Sequence, residues 1–173
     1  DSPLDRESVV ETVYLDLINR ASKYLYIFTP YLILDDFMRT ALCNAAKRGV
    51  DVRIVTPGIP DKKMVFRLTR SNYAPLMKSG VKIYEYTPGF IHAKSMVCDD
   101  EAAVVGTINL DYRSLYLHFE NAVYFSHCDA VAAVKQDGED VFAVSKRMTI
   151  EDTRQTFIGK LVDSVLRVFE TLL

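Results

Sequence analysis

The feature that most constrains the fold is the alternation of amphipathic helical segments with short apolar strands in the first half of the chain. Hydrophobic residues recur at helical spacing in three segments, and a short apolar run follows each of them. The predicted helices run from Glu7 to Ser22, from Asp35 to Gly49 and, after a turn that ends at Pro60, up to Gly80 with an interruption before Pro75. The predicted strands are Tyr24–Thr29, Asp51–Thr56 and Val81–Tyr86. Strands separated by helices of this length are joined by right-handed crossovers, which place them in parallel with helices on both faces.

The second half of the chain predicts a hairpin followed by closing helices. Phe90–Cys98 and Ala102–Val105 are predicted strands, joined by a turn at Asp99-Asp100-Glu101. A further strand is predicted at Glu120–Ser126, and helical spacing covers about residues 128–146 and 150–173. The last helix carries an apolar stripe that we expect to face the core, formed by Phe157, Leu161, Val165, Phe169 and Leu172. The whole pattern predicts an α/β fold with a mixed, largely parallel sheet and helices on both faces.

The length and charge of the chain limit the classes of function. Its 173 residues fit one domain, 1–173, and 21 basic against 23 acidic residues give a net charge of −2. The chain therefore has no global positive field that recruits nucleic acid, and any site for a polyanion must be local. No apolar run approaches the roughly 18 residues that span a bilayer. Because the chain begins at Asp1 instead of Met, we expect it to be a piece of a longer protein.

The residues that carry chemistry are concentrated in the predicted hairpin. Residues two apart on a strand share a face, so the imidazole of His92 and the ammonium of Lys94 are expected to converge. Asp99 is an odd number of residues from both, which puts it on the other face or in the turn, and we expect a mainly structural role for it. Glu120, on a later strand, is expected to hold the Nδ1 proton of His92 and leave Nε2 as a nucleophile.

Three further polar or small residues follow the second strand of the hairpin: Gly106, Thr107 and Asn109. A small residue, a hydroxyl and an amide can approach an anion closely, and Lys94 with Asn109 offers donors for nonbridging phosphate oxygens. This set favours a phosphodiester ligand. The competing interpretation is a divalent-metal site made from His92 and the acidic turn. The Lys94 ammonium would repel such an ion, and hard metals prefer converging carboxylates, so we predict no metal and no other cofactor.

The spacing of these residues resembles the HKD motif of the phospholipase D superfamily, H-x-K-x4-D-x6-G-S-x-N, with Thr107 in place of the usual serine. Longer segments are similar to bacterial cardiolipin synthases, namely Thr29-Pro30-Tyr31, Ile59-Pro60-Asp61, Tyr84–Lys94, Asn109–Ser114 and Phe119-Glu120. The resemblance covers nearly the whole chain and corresponds to the C-terminal half of that enzyme. It implies a phospholipase D-like α-β-α sandwich. The implied catalytic set is His92, Lys94, Asp99, Asn109 and Glu120. The expected substrate contacts are Gly106, Thr107, Tyr112 and Arg113, and for the last two the alternative is that they only pack and pair near the site.

The same resemblance implies a reaction and its partners. The family joins two HKD motifs in one active site, where one histidine forms a phosphohistidine and the other serves as general acid and base. The expected partner is therefore the N-terminal HKD domain of the same parent chain. The expected reaction transfers a phosphatidyl group from one phosphatidylglycerol to another and releases glycerol, without a metal. The parent enzyme is expected on the cytoplasmic side of the cell membrane, held by N-terminal helices that are absent here, and the isolated domain is expected to be soluble.

Two other functions stay open at this point. A homodimeric phosphodiesterase or nuclease of the same superfamily would take its second motif from a two-fold related copy, but the acidic charge balance argues against a basic groove for nucleic acid. A non-catalytic domain would use the motif as a pocket for phospholipid headgroups. The sequence also leaves open whether His92 is the nucleophile or the general acid.

Overall fold

A seven-stranded sheet forms the centre of the protein. The computed structural model describes residues 2–4 and 7–168. The strands are β1 (Tyr24–Phe28), β2 (Leu32–Ile33), β3 (Asp51–Pro57), β4 (Lys82–Tyr86), β5 (Ser95–Cys98), β6 (Ala102–Gly106), β7 (Leu110–Asp111), β8 (Ala122–Ser126) and β9 (Ser145–Arg147). Strands β2 and β7 pair in parallel as a separate short ribbon, and the others make up the central sheet.

Seven α-helices accompany these strands in the described part of the chain. They are α1 (Val9–Arg20), α2 (Asp36–Lys47), α3 (Lys63–Ser71), α4 (Tyr73–Lys78), α5 (Tyr112–Tyr116), α6 (Asp129–Ala143) and α7 (Phe157–Val168), with one turn of 3-10 helix at Glu151–Thr153. The Asp35 side chain caps α2 by accepting from the Met38 amide at 2.7 Å, and Gly49 follows the helix with a φ of 98°. Both ends of this helix therefore follow the capping signals in the sequence.

The sheet combines a parallel centre with antiparallel flanks. Its strand order is β8-β6-β5-β1-β3-β4-β9, and β1, β3 and β4 run parallel to one another. Strands β5, β6 and β8 continue the sheet beyond β1 in antiparallel pairs, and β9 is antiparallel to β4. The predicted α/β class and mixed sheet are confirmed. Parallel pairing is less extensive than predicted, because β1, β3 and β4 form two parallel pairs and the other four pairs of the sheet are antiparallel.

Helices cover both faces of the sheet, as predicted. On one face α1, α2 and α4 bury apolar side chains such as Leu17, Leu42 and Leu76 in the larger core. On the other face α6 packs Val131 and Phe142 against aromatic residues of β1. Each buried side chain of this kind contributes about 1.5–3 kcal/mol, so the two apolar faces hold the helices on the sheet.

The carboxyl ends of the three parallel strands lie at one edge of the sheet. The segments that follow β1, β3 and β4 carry Tyr31, Asp61 and His92. The Tyr31 hydroxyl donates to Asp61 Oδ2 at 2.5 Å, and its ring lies edge-on to the His92 ring with centroids 6.3 Å apart. Ligands of open α/β sheets bind at this edge, so the topology assembles a site from three separate loops.

The first half of the predicted strand Phe90–Cys98 is wrong. Strand β5 begins at Ser95, which pairs with Phe28 at the end of β1. Beyond that pair the chain reaches Pro30, which has no N–H to continue a ladder. Residues 90–94 are therefore a loop, and the side-chain directions derived from strand alternation do not apply there.

The closing helix also differs from its prediction. Leu161 is exposed, whereas Asp163 is buried and paired with Arg67 of α3, with Nε and Oδ1 2.5 Å apart. The apolar stripe is therefore not core-facing at Leu161, because the ion pair turns another side of α7 toward α3. Phe169 and Leu172 lie outside the described residues. Within residues 2–4 and 7–168, no helix has the length and apolar character needed to cross a bilayer.

Candidate active site

The hairpin of β5 and β6 places the motif residues at its two ends. At the open end, the Gly106 amide donates to the Lys94 carbonyl at 3.1 Å. At the closed end, Asp99 and Asp100 have φ angles of 56° and 62°, as the two central residues of a type I′ turn do. The motif therefore describes a single hairpin whose open end lies at the edge of the sheet that carries His92.

Asp99 is buried at the turn, where the backbone uses its carboxylate. It accepts hydrogen bonds from the amides of Ser22, Lys23 and Tyr24 at 2.7 to 2.9 Å and from the Ser22 hydroxyl at 2.8 Å. Burial alone raises the pKa of Asp99, but these hydrogen bonds outweigh it and the net pKa is lowered. Asp99 thus joins the hairpin to the start of β1, and the structure does not bring it together with His92, which lies beyond the other end of β5.

His92 is exposed and flanked by two aromatic rings. Phe90 stacks on the imidazole with centroids 5.5 Å apart, and Tyr31 approaches it edge-on. Partial burial lowers the pKa of His92, the neighbouring Lys94 ammonium lowers it further, and the charge of Asp61 opposes both effects. A lowered pKa keeps the imidazole neutral near pH 7, which is the form that a nucleophile or a general base requires.

Lys94 is half-buried and lies directly beside His92. Its Nζ donates to the His92 carbonyl oxygen at 2.7 Å. Burial lowers the pKa of Lys94, whereas the charges of Glu120 and Asp111 raise it. The structure therefore brings together the imidazole-bearing loop, an ammonium and two carboxylates.

Gly106 and Thr107 connect β6 to the segment before β8. A Cβ at Gly106 would lie 2.3 Å from the Asn121 carbonyl oxygen, so the close approach of the backbone before β8 requires glycine here. The glycine therefore makes room for this backbone and not, as predicted, for an anion. The Thr107 hydroxyl accepts from the Asn121 amide at 3.0 Å and donates to a carboxylate oxygen of Glu120. The other oxygen of Glu120 lies 3.8 Å from His118 Nδ1. These contacts hold Glu120 at the site, and its hydrogen bond to His92 stays a prediction.

The side-chain amide of Asn109 is turned toward α5. Its Nδ2 donates to the Ser114 hydroxyl at 3.0 Å, and its Oδ1 is buried without a hydrogen-bond partner among the described residues. Asp111 caps α5 by accepting from the Ser114 amide at 2.7 Å, and burial raises the pKa of Asp111. Asn109 therefore presents an acceptor, whereas the sequence predicts a donor to phosphate. Donation to a phosphate oxygen requires the amide to turn over.

Tyr112 and Arg113 lie in the first turn of α5. The Tyr112 ring packs on the Tyr116 ring with centroids 4.6 Å apart. Arg113 is exposed, and its Nε donates to His118 Nε2 at 2.6 Å. Arg113 also lines a cavity with Asn109, which places it at the site, whereas the ring contact of Tyr112 lies within its own helix.

An open groove of about 720 Å³ gathers the motif side chains. Its wall includes Val134 of α6 and the motif residues His92, Lys94, Gly106, Thr107 and Asn109. An imidazole and an ammonium on one open groove can bind a phosphodiester and attack its phosphorus. Over the described ranges, no group of three or more His, Cys, Asp or Glu side chains could hold a metal ion.

Three further residues lie at the site although no role is predicted for them from the sequence: Tyr31, Asp61 and Ser114. Tyr31 and Asp61 follow β1 and β3, so the rule that ligands bind at the carboxyl ends of parallel strands could have identified them. Ser114 contacts Asn109 because α5 folds back over five residues, and no sequence signal marks that turn beyond the cap at Asp111.

Comparisons with known proteins identify the family of the chain. The family model described as "Cardiolipin synthase, PLD-like domain" matches residues 14–141. A cardiolipin synthase of Geobacillus kaustophilus is 36% identical over 99% of this chain and 34% of its own length. Cardiolipin synthase 2 of Bacillus anthracis gives the same three values. The chain spans about a third of the length of these curated relatives.

Solved structures share the fold. Nuc of Salmonella typhimurium, described as a phospholipase D family member, matches with a TM-score of 0.70 and 20% identity over 80% of this chain and 90% of Nuc. Phosphatidylserine synthase of Haemophilus influenzae matches with a TM-score of 0.74 and 17% identity over 95% of this chain and 45% of its own. Together with the family model and the relatives that are 36% identical over nearly the whole chain, these matches show that the chain belongs to the cardiolipin synthase family of phospholipase D-like domains.

Proposed function

We propose that this chain is one half of a cardiolipin synthase that transfers a phosphatidyl group between two phosphatidylglycerol molecules and releases glycerol. The observation that carries the proposal is the convergence of His92 and Lys94 on one open groove at the carboxyl edge of the sheet. The curated relatives are about three times as long as the chain, which leaves room for a second HKD domain with the second histidine. The substrate, the reaction and the partner domain are all parts of this proposal.

In the proposed reaction, two histidines act in turn. When His92 is the nucleophile, its Nε2 forms a bond to phosphorus while the bond from phosphorus to the glycerol oxygen breaks. The second histidine protonates the leaving glycerol and then takes the proton of the incoming hydroxyl, which displaces His92 from phosphorus. Lys94 stabilises the negative charge on the nonbridging oxygens. The same groups serve when the two histidines exchange roles.

Glu120 is proposed as a positioning residue for His92. The Thr107 hydroxyl holds its carboxylate, and its charge acts on the neighbouring Lys94. A hydrogen bond from His92 Nδ1 to this carboxylate would fix the tautomer that exposes Nε2. Asp99 has no direct part in the proposed chemistry because its carboxylate is engaged at the turn.

The test uses the longer protein that contains this chain, with phosphatidylglycerol in detergent micelles. A chelator is present, because Lys94 supplies the positive charge that a metal ion would otherwise provide. His92→Ala is expected to lower cardiolipin formation by about 10²–10⁴-fold or more while thermal stability is kept. Glu120→Gln is expected to slow the reaction less, because an amide still orients the ring.

His127→Asn is the matched control for this experiment. His127 is exposed at the closed end of the hairpin, its amide donates to the Glu101 carbonyl, and its φ of 51° is one that Asn tolerates. The control is expected to keep the parental rate. Near-parental activity of His92→Ala with unchanged thermal stability, or loss of activity in the chelator, would contradict the proposal.

The same proteins distinguish the two other functions. Cleavage of nucleic acid or of a soluble phosphodiester by a homodimer of this chain would favour the phosphodiesterase. Binding of phosphatidylglycerol without turnover in the longer protein would favour a non-catalytic headgroup-binding domain.

A further inference from the structure

A second cavity lies next to the groove and shares Asn109 with it. This cavity has a volume of about 230 Å³, and we call it the α5 cavity. Its polar wall includes Tyr31, Lys62, Asn109, Asp111, Arg113 and His118. Asn109 lines the groove as well, and Tyr31 contacts the ring of His92. A molecule in the α5 cavity therefore borders directly on the reacting groups.

Two exposed cations give the α5 cavity its charge. Lys62 Nζ lies 5.8 Å from the centroid of the Tyr31 ring, and Arg113 Nε donates to His118 Nε2. The chain as a whole has a net charge of −2, so the pair of cations is a local feature that suits an anion.

The carboxylates near these cations are already engaged. Asp111, in the wall of the cavity, accepts from the Ser114 amide. Asp61 accepts hydrogen bonds from the Tyr31 hydroxyl and from the backbone amide of Lys62. These bonds direct the carboxylate oxygens of Asp61 and Asp111 toward donors inside the fold but leave their charges in place, and Glu120 lies 3.8 Å from His118 Nδ1. An incoming anion is therefore expected to bind at the cations rather than near these carboxylates.

The boundary between the two cavities offers an acceptor. Asn109 Oδ1 is buried and has no partner in the part of the chain that the structure describes, while Nδ2 is taken by Ser114. A buried carbonyl oxygen without a donor is unfavourable, and a ligand hydroxyl can supply the missing donor once the Asn109 side chain turns this oxygen toward the groove that the residue lines. The site therefore combines a hydroxyl acceptor at the groove with cations that line the α5 cavity but not the groove.

We propose that the α5 cavity binds the headgroup of the acceptor phosphatidylglycerol, with its free hydroxyl at Asn109 and its phosphate at Lys62 and Arg113. This inference rests on the proposed function. A glycerol headgroup carries a hydroxyl at one end of three carbons and a phosphate at the other. The site has the same arrangement, since the hydrogen-bond acceptor Asn109 Oδ1 lies beside the groove and the two cations lie in the adjoining cavity.

The assignment gives the α5 cavity a role in choosing the acceptor. In the transfer step, the hydroxyl oxygen of the acceptor forms a bond to phosphorus, the bond from phosphorus to the histidine nitrogen breaks, and the hydroxyl proton passes to the second histidine. Water can make the same attack but carries no phosphate, so it gains nothing from Lys62 and Arg113. The α5 cavity therefore favours transfer to a lipid over hydrolysis to phosphatidic acid.

The first test measures how the longer protein partitions phosphatidyl groups between cardiolipin and phosphatidic acid in phosphatidylglycerol micelles. Lys62→Met and Arg113→Met are each expected to lower the ratio of cardiolipin to phosphatidic acid about tenfold, through the loss of a charge-assisted contact. Lys63→Met is the matched control, because Lys63 is an exposed neighbour that does not line the α5 cavity. An unchanged ratio in the first two variants, or an equal fall in the control, overturns the proposal.

The second test separates this proposal from the proposed function by measuring binding to this chain with amide NMR. Glycerol 1-phosphate is expected to shift signals around the α5 cavity and to bind about tenfold more tightly than glycerol or inorganic phosphate. Lys62→Met should weaken this binding, and Lys63→Met should not. Selective binding without cardiolipin formation by the longer protein means that the proposed function fails and the cavity assignment stands. Cardiolipin formation with no selective binding, or equal binding of inorganic phosphate, overturns the cavity assignment.

Discussion

The motif residues lie at the two ends of the β5–β6 hairpin, and Asp99 lies at the closed end, away from the groove. Its carboxylate accepts three backbone amides at the beginning of β1, whereas Lys94 and His92 face the groove at the other end of β5. An acceptor with two oxygens and no hydrogens is needed where several amides converge. A carboxylate is therefore needed at residue 99 because it stabilises the fold.

Asp99→Asn is expected to lower the free energy of unfolding at pH 7 by about 1–3 kcal/mol, because the amide group replaces one acceptor by a donor that faces backbone N–H groups. Asn tolerates the positive φ at this position, so the turn itself is preserved. Urea unfolding of both proteins measures the difference.

The same comparison has a defined pH dependence. Folding lowers the pKa of Asp99, so the carboxylate stabilises the protein fully above its unfolded pKa of about 3.9 and loses this contribution as the pH falls through the lower folded pKa. The difference between parent and variant should shrink below about pH 4. A difference that stays constant down to pH 2 would show that the carboxylate charge is not what stabilises the turn.

Among the elements, the pairing of β6 with β8 depends on Gly106. A Cβ there would lie 2.3 Å from the Asn121 carbonyl oxygen and 2.6 Å from the Ala122 Cα, both of which are backbone atoms that cannot rotate away. Gly106→Ala is expected to destabilise the protein by about 3 kcal/mol or more and to disturb Thr107 and Asn109 downstream.

Thermal unfolding and the assay of the longer protein measure these effects. Gly89→Ala is the matched control, because the nearest atom to its Cβ is 4.0 Å away, and it should change stability by no more than about 0.5 kcal/mol. Equal stability of the two variants would mean that β8 can shift away from β6 at little cost.

An element can be predicted from the sequence when the signals that define it lie nearby in the chain, and not when they lie in a distant segment that packs beside it. The helix that Asp35 caps and the strands that follow the helices depend on local signals, and they form where predicted. The loop of residues 90–94 contains no strand breaker of its own and reads as an extension of β5. Its conformation depends on Pro30, about sixty residues earlier, because β1 ends at Phe28 just before this proline and offers residues 90–94 no strand to pair with on that side.

Side-chain directions at the site were less accessible to prediction for the same reason. The spacing of His92, Lys94 and Asn109 identified the groove, since the motif fixes which residues meet there. The orientation of the Asn109 amide depends on Ser114, and the contact of Glu120 depends on the Thr107 hydroxyl. Each is a tertiary contact for which several other partners are geometrically possible. The local sequence pattern does not indicate which of these partners is chosen.

For the whole molecule, we expect this chain alone to form little or no cardiolipin from phosphatidylglycerol in detergent. With one histidine in the groove, a leaving glycerol has no second group to protonate it, and general acid catalysis contributes about 10²–10⁴-fold. The measurement compares equal molar amounts of this chain and of the longer protein. Adding the remaining part of the longer protein to this chain should restore activity, and efficient synthesis by a monomer of this chain would refute the two-motif mechanism.

The hairpin between the groove and the Asp99 turn has a further consequence for how such sequences can change. Four residues separate Lys94 from Asp99, which are the four residues of β5, and six separate Asp99 from Gly106. The two intervals are therefore set by the lengths of the two strands of the hairpin, which we call its arms, together with the turn between them. An exchanged amino acid within an arm leaves both ends in place, whereas one inserted residue displaces an end by about 3.3 Å and turns the following side chains to the opposite face. Evolution can thus vary the composition of these arms more freely than their length, and distant members of the family should be easier to detect by the two intervals than by the residues inside them.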